Sequence, residues 1–372
     1  MDTKELLKAL SEGIGVSGYE GPVGRLVADA FRPLCDEIRF DKLGNCICLR
    51  RGEPAGRGEP GSRQPGSRGG ARRSVAAAPA PRVMLAGHMD EVGLMVTKHE
   101  GRGFVRFTDV DGVDQRTLPG QEVTIHGRRD VPGVIGLKPP HLIRPAEAHK
   151  ALKMEDLCID TGLADDEARR VISVGDVVTL KRRFLELQNG YVAGKAFDDR
   201  AGVAVMYEAL LQLAKLRHEA DVYAVATVQE ETGMRGATTS AYGIVPDIGV
   251  AIDVTFGDMP GIEEYRTLPL DRGPSLAAGG NIHPRILEAM LGAAEAAGIP
   301  IQMEALPGPT GTDAWAMQVT RSGIPTALVS IPLRSMHTTV ETAAMGDIRR
   351  AGRLLALFIA SVDRSFVEGL RW

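Results

Sequence analysis

Apolar positions recur along the chain with two periods, and the changes of period divide it. Residues 3–12 carry apolar side chains at helical spacing and follow Asp2 and Thr3, either of which can cap a helix. A Gly-rich stretch, residues 13–19, ends that helix. A second helix is predicted over 20–34, with Val23, Leu26, Val27, Ala30 and Phe31 on one face. Residues 37–41 alternate, Leu43, Gly44 and Asn45 turn, and 46–49 return, which predicts a hairpin. The apolar run 82–87 has the texture of a buried parallel strand.

From 92 to 187 the pattern changes to short alternating strands at 93–97, 104–108, 122–126, 133–137 and 176–181, set between Gly and Pro turns. That texture predicts a small β-rich domain, a partly closed barrel. Asp109, Asp111 and Asp114 lack the rest of a calcium loop and read as turn residues. Strand–helix rhythm returns after Gly190. A helix to about residue 216 is apolar nearly all round and therefore buried. Strands follow at 221–228, 247–252 and 326–331, with helices at 284–298 and 347–362.

The expected fold is α/β, with a central, mostly parallel sheet flanked by helices and a β-rich domain inserted into it. The expected limits are 1–92 and 189–372 for the two parts of the α/β domain and 93–188 for the insert. Residues 52–81 differ in kind, being built of Arg, Gly, Pro, Ser and Ala with almost no large apolar side chain. Such a segment cannot bury enough surface to offset its ordering entropy, so a disordered surface loop is expected. Its arginines are candidates for touching RNA or an acidic partner, with a solvated loop the simpler reading.

Composition narrows the function classes. A net charge of −4 gives no global basic surface for nucleic acid. No run is long and apolar enough to span a membrane. The N-terminus, Met1-Asp2-Thr3-Lys4-Glu5, lacks a signal peptide's apolar region. Cys35, Cys46, Cys48 and Cys158 read as reduced thiols, and Cys46 and Cys48 are too close for a zinc knuckle. A cytoplasmic protein is expected.

The candidate chemistry lies at strand ends. His88, Glu230, Glu231 and Asp253 each fall just past the carboxyl end of a predicted strand, and His337 follows a few residues after another. Ligands of open α/β sheets bind at that edge. Asp198 sits at a strand–helix junction, where it reads either as a helix cap or as a carboxylate shared by two metal ions. His88, Asp198, Glu231, Asp253 and His337 form a mixed imidazole–carboxylate set that suits zinc or cobalt better than calcium or magnesium. With one bridging ligand and two further ligands per metal, each ion keeps an open position, as catalytic sites do. Glu230, next to a ligand, is then free to act as general base. Asp90 is placed to take a hydrogen bond from the far nitrogen of His88.

These residues lie in Gly87-His88-Met89-Asp90-Glu91-Val92-Gly93, Gly194-Lys195-Ala196-Phe197-Asp198-Asp199-Arg200, Gln229-Glu230-Glu231-Thr232-Gly233, Ala251-Ile252-Asp253-Val254-Thr255 and Met336-His337-Thr338-Thr339-Val340-Glu341. Gly311-Thr312-Asp313-Ala314 and Lys138-Pro139-Pro140-His141 complete the set. Together they resemble the tetrahedral (TET) aminopeptidases, the glutamyl or deblocking type among the dinuclear zinc exopeptidases. The resemblance spans nearly the whole chain except 52–81. It implies that His88, Asp198 and Asp253 hold one divalent metal ion and that Asp198, Glu231 and His337 hold the other. It further implies Glu230 as catalytic base and Asp90 as the residue that orients a ligand. It also implies a PDZ-like inserted domain that builds dimers, six of which close into a tetrahedral dodecamer acting on peptides. Thr338-Thr339 stands where the family carries Ser-Pro.

Other residues weigh less. Residues 310–313 form a loop suited either to backbone contacts with a substrate or to a plain turn. His283 reads as a helix-entry residue, and His99, His126, His149 and His218 as surface. Arg266 and Arg334 are candidates for recognising an acidic side chain, but no pattern assigns them to a pocket. The expected activity is a two-metal aminopeptidase acting on short peptides. One rival is a glycoside hydrolase, which needs two carboxylates flanking a sugar bond and would survive chelation. The other is a non-catalytic shell or peptide-binding scaffold, which would cleave no aminoacyl-anilide.

Overall fold

A computed structural model describes residues 1–53, 79–142 and 151–370. Most of the predicted insertion (54–78) and His149 lie outside the described residues. The chain begins with α1 (Thr3–Glu12) and α2 (Gly21–Phe31), followed by the hairpin β1 (Glu37–Phe40) and β2 (Cys46–Arg50), and by β3 (Arg82–His88). A run of antiparallel strands comes next: β4 (Gly93–Gly101), β5 (Phe104–Val110), β6 (Glu122–His126), β7 (Asp130–Gly136), β8 (Cys158–Asp160) and β9 (Val177–Leu180), with α3 (Asp165–Val171) between the last two. Short strands β10 (Leu185–Glu186) and β11 (Tyr191–Gly194) lead to α4 (Phe197–Leu213), β12 (Asp221–Thr227), α5 (Arg235–Ile244) and β13 (Ile248–Phe256). The chain continues through β14 (Ser275–Ala278), α6 (Pro284–Ala297), β15 (Gln302–Ala305), α7 (Asp313–Gln318), β16 (Thr326–Leu333), β17 (Glu341–Ala344), α8 (Met345–Ser361) and α9 (Arg364–Glu368).

The central sheet has the order β1-β2-β12-β3-β13-β16-β14-β15. Its middle, β12-β3-β13-β16, is parallel, while β2 and β14 run antiparallel to their inner neighbours. Aliphatic runs such as Val83, Met84, Leu85 and Ala86 are buried on both faces, as a sheet sandwiched between helices requires. One face carries α1, α2, α4, α6 and α8, and the other α5 and α7. Helix α4 lies beneath β3 and β13 and against α8, which explains a helix without a polar stripe. Gly87 permits the approach: a Cβ there would stand 3.0 Å from Asp199 Oδ2 and 3.2 Å from the Gly202 carbonyl carbon.

Asp2 caps α1 through a reciprocal pair, accepting from the Glu5 N–H at 2.8 Å while Glu5 accepts from the Asp2 N–H at 3.0 Å. In α2 the buried face is Val23, Gly24, Val27, Ala28 and Phe31, and Leu26 is exposed, contrary to the expected face. Leu26 lies more than a right angle around the helix from the middle of that set, at about 100° per residue.

The inserted strands close into a six-stranded barrel in the order β4-β5-β8-β7-β6-β9. It has its own core, including Leu94, Val105, Ile125, Ile135, Ile159 and Val178. The expectation of a partly closed barrel missed β8 and α3: three residues are too few to display alternation. Among the described residues, no helix is long and apolar enough to cross a membrane. All four cysteines are free.

Candidate metal centre

Five elements deliver their side chains to one point at the carboxyl edge of the parallel strands. His88 is the last residue of β3, Asp198 lies in the first turn of α4, and Glu230 and Glu231 follow β12. His337 lies in the turn after β16. Asp253 departs from expectation. It sits within β13 opposite Ser330, because β13 continues alongside β16 after its pairing with β3 has ended.

Asp198 presents one oxygen to each imidazole. His88 Nε2 is 3.1 Å from Asp198 Oδ1, and His337 Nε2 is 3.2 Å from Asp198 Oδ2. Glu231 Oε2 stands 3.4 Å from His337 Nε2. Two donor groups result, His88–Asp198–Asp253 and Asp198–Glu231–His337, each with its ligand atoms within 4.8 Å of one another. Zinc–ligand bonds near 2.1 Å at tetrahedral angles separate ligand atoms by roughly 3.4 Å. The donor set therefore fits two such cations. Glu230 Oε1 and Glu231 Oε1 are buried without hydrogen-bond partners, a cost that a cation or an ordered water removes.

Electrostatics agree with that fit. Burial, and then the charge of Asp198, pushes Glu231 up to about 10 and Asp253 up to about 8. Burial, with the charges of Asp253, Asp313 and Asp90 and against the pull of His88, pushes Glu230 up to about 9. Burial also opposes ionisation of Asp198, yet hydrogen bonds from His337 and His88 hold it below the usual carboxylate range. His337 is raised by its bond to Asp198. Glu230, Glu231 and Asp253 keep their protons in the cation-free fold at a pH where the unfolded chain, near 4, has lost them. Without divalent cations, Tm should therefore fall as pH rises above the carboxylate range, the loss finishing near the folded values of about 8, 9 and 10. Zinc should flatten that decline. A cation-free Tm that stays level or climbs across this window would contradict the assignment.

The helix-cap alternative for Asp198 falls to its neighbour. Asp199 Oδ1 accepts from the Gly202 N–H at 2.9 Å, and Oδ2 accepts from the His88 N–H at 3.1 Å. Asp90 is buried, but its carboxylate is not devoted to the imidazole. It accepts from the Ser17 hydroxyl at 2.6 Å and from the Glu230 and Glu231 N–H groups at 3.1 and 3.3 Å. His88 Nδ1 meets the Asp90 backbone oxygen at 3.3 Å and its carboxylate at 3.5 Å. Asp90 thus braces the acidic turn as well as the histidine.

Sequence reasoning passed over Glu341. Its carboxylate is buried and accepts from the N–H groups of Phe197 at 2.5 Å, Asp198 at 3.2 Å and His337 at 2.8 Å. It ties the backbones of two candidate ligands together. The only signal was an acid closing the Met336–Glu341 motif. Glu91 was also missed; it pairs with Lys195 at 2.5 Å and with fully buried Arg200 at 3.1 Å, fixing the end of β3 against α4. The barrel contributes too. Gly112, at φ 65°, lies where a Cβ would approach His337 Nδ1 to 2.9 Å.

A cavity of about 430 Å³ opens from the cluster and is lined by His88, Asp198, Glu230, Glu231, Asp253 and His337 at one end. Thr310, Gly311 and Thr312 line it, and Thr312 also caps α7 by accepting from the Ala314 N–H. Arg334 is engaged with Asp258 at 2.6 Å, Arg266 is exposed, and neither lines the cavity. His283 does precede α6. His218 is buried rather than on the surface, its Nδ1 2.8 Å from the Ala220 carbonyl oxygen.

The profile of the M42 glutamyl aminopeptidase family matches residues 71–354. A lysyl aminopeptidase of Pyrococcus furiosus is 36% identical over 351 residues, covering 92% of this chain and 93% of its own. The crystal structure of a TET aminopeptidase from a marine-sediment Thaumarchaeota archaeon superposes with a TM-score of 0.88 at 32% identity, covering 99% of both chains. The Pyrococcus horikoshii TET1 peptidase, which assembles into a tetrahedron or a large octahedral shell, gives 0.80 at 28% identity, covering 97% of this chain and 100% of its own.

Proposed function

Because the chain belongs to the M42 glutamyl aminopeptidase family, we propose that it removes N-terminal residues from short peptides at a two-metal centre. The observation that carries this reading is Asp198, whose two oxygens each face a separate donor group. Two divalent cations, zinc or cobalt, held by His88, Asp198 and Asp253 and by Asp198, Glu231 and His337, would polarise the scissile carbonyl and acidify the attacking water. Glu230 borders the first group, with Oε2 4.0 Å from His88 Nε2 and Oε1 buried without a hydrogen-bond partner. It takes a proton from the attacking water and returns it to the departing amine. Asp90 keeps that turn in register through the N–H groups of Glu230 and Glu231. A cavity of about 430 Å³ is of the size that takes one or a few residues of a peptide.

The inserted barrel is proposed as the element through which chains self-associate into dimers and a closed shell; the TET1 relative assembles into a tetrahedron or a large octahedral shell. The expected limits of that insert, 93–188, are kept in this proposal. A cytoplasmic setting goes with the free thiols. The glycoside hydrolase reading would need two carboxylates freed from the cluster to flank a sugar bond. In this arrangement the acids converge on two imidazoles instead.

Purified chain should cleave aminoacyl-anilides but not their N-acetylated forms. Chelation should abolish the activity, and zinc or cobalt should restore it. Polysaccharide cleavage that survives chelation would favour the sugar hydrolase. Inactivity of the metal-loaded protein on every anilide would leave a scaffold.

A further inference from the structure

The cavity beside the candidate metal centre has a further acid, Glu304, in its lining. Thr255 follows Asp253 by two residues on β13, so both side chains share a face and stand roughly 7 Å apart. The Thr255 hydroxyl donates to Glu304 Oε1 at 2.8 Å, and the Ser275 hydroxyl donates to Glu304 Oε2 at 3.1 Å. Glu304 is half-buried on β15 and lines the cavity. Phe256, Leu306, Leu328 and Met336 supply apolar surface around it. Among the described residues, no lysine or arginine lines this cavity, and none pairs with Glu304.

We propose that Glu304 determines which N-terminal side chain the enzyme accepts, and that it selects a basic one, lysine or arginine. The inference rests on the aminopeptidase reading and extends it to substrate class. A carboxylate can accept about four hydrogen bonds, and two hydroxyl donors leave lone pairs free for an ammonium or guanidinium group. Those hydroxyls carry no charge, and no lysine or arginine of the described residues pairs with Glu304, so a cationic side chain of the substrate would be its first side-chain counter-charge. The apolar walls suit the methylene stem of a basic side chain, which buries its carbons and presents its charge at the tip. A leucyl side chain would satisfy the walls but leave Glu304 without a partner. A glutamyl side chain would set like charges against each other, and neither Arg266 nor Arg334 is placed to offset that.

The test is kcat/KM of the metal-loaded full chain on lysyl-, arginyl-, leucyl- and glutamyl-anilides. The wild type should favour lysyl or arginyl and disfavour glutamyl. Glu304→Gln should lower the lysyl-to-leucyl ratio on the order of 10- to 100-fold, mostly through KM. Glu304→Lys should reverse the order of the lysyl and glutamyl substrates. The proposal is overturned if the ratio is unchanged in Glu304→Gln, or if both activities drop together, which would make Glu304 a mere brace for Thr255 and Ser275. A wild-type preference for glutamyl also overturns it while leaving the aminopeptidase reading intact. Cleavage of none of the four by the wild type would overturn both.

Discussion

Glu230→Gln should lower kcat by about 10²- to 10⁴-fold, the contribution of a positioned general base, while metal content and the folded state stay those of the wild type. The two amino acids are nearly the same shape, so the turn that Asp90 holds through the Glu230 N–H is kept. Neither candidate donor group includes Glu230, so neither cation loses a ligand. Only the capacity to accept a proton disappears. Burial and the acids around it already raise Glu230 to about 9, and bound cations would draw that value down toward the working range. Inductively coupled plasma measurement of metal per chain, beside steady-state kinetics, separates the two effects. Near-normal turnover in this variant would refute the assigned base. Loss of metal together with activity would make Glu230 a ligand instead.

Asp198→Asn has the second large effect, because Asp198 belongs to both donor groups. Replacing it should deplete both cations and cut kcat/KM by well over the roughly 10- to 100-fold cost typical of outer-shell changes. Asp253→Asn and His337→Ala each touch one group, so each should deplete mainly one cation. Combining either with Asp198→Asn should add little, since residues that act as a unit are far from additive. Isothermal titration with zinc reads this directly. An Asp198→Asn protein that still binds two equivalents with wild-type affinity would remove the bridging role.

The parts of this molecule that could be read in advance are those governed by local pattern. Strand β3, buried helix α4 and the barrel strands other than β8 announce themselves through periodicity, and His88 stands at the end of β3 because an apolar run stops there. The candidate ligands were legible because each lies at or near such a boundary. Asp253 was placed past the end of its strand, since nothing in Asp253-Val254-Thr255 tells that β16 extends β13 to Phe256. Strands β14, β15 and β17 went unread: each has four residues, and Ser275–Ala278 and Glu341–Ala344 lack a clear apolar–polar alternation.

Of the supporting shell only Asp90 was legible, through its place two residues after His88, and its contacts with the acidic turn were not. Glu341 meets the Asp198 N–H across 143 residues, and Asp90 meets the Glu230 N–H across 140. Glu304 meets Thr255 and Ser275 at separations of 49 and 29 residues. Such contacts are set by packing, and the acids that make them look like ordinary surface acids in one dimension. His218 was assigned to the surface for the same reason, since only the fold brings its ring under the chain beside Ala220.

Asp198 is assigned to two cations at once. Diffraction from zinc-soaked crystals, recorded above and below the zinc absorption edge, tests it most directly. Two anomalous peaks should appear on either side of the Asp198 carboxylate, one bounded by His88 and Asp253 and the other by Glu231 and His337. A single peak, or peaks away from Asp198, would contradict it.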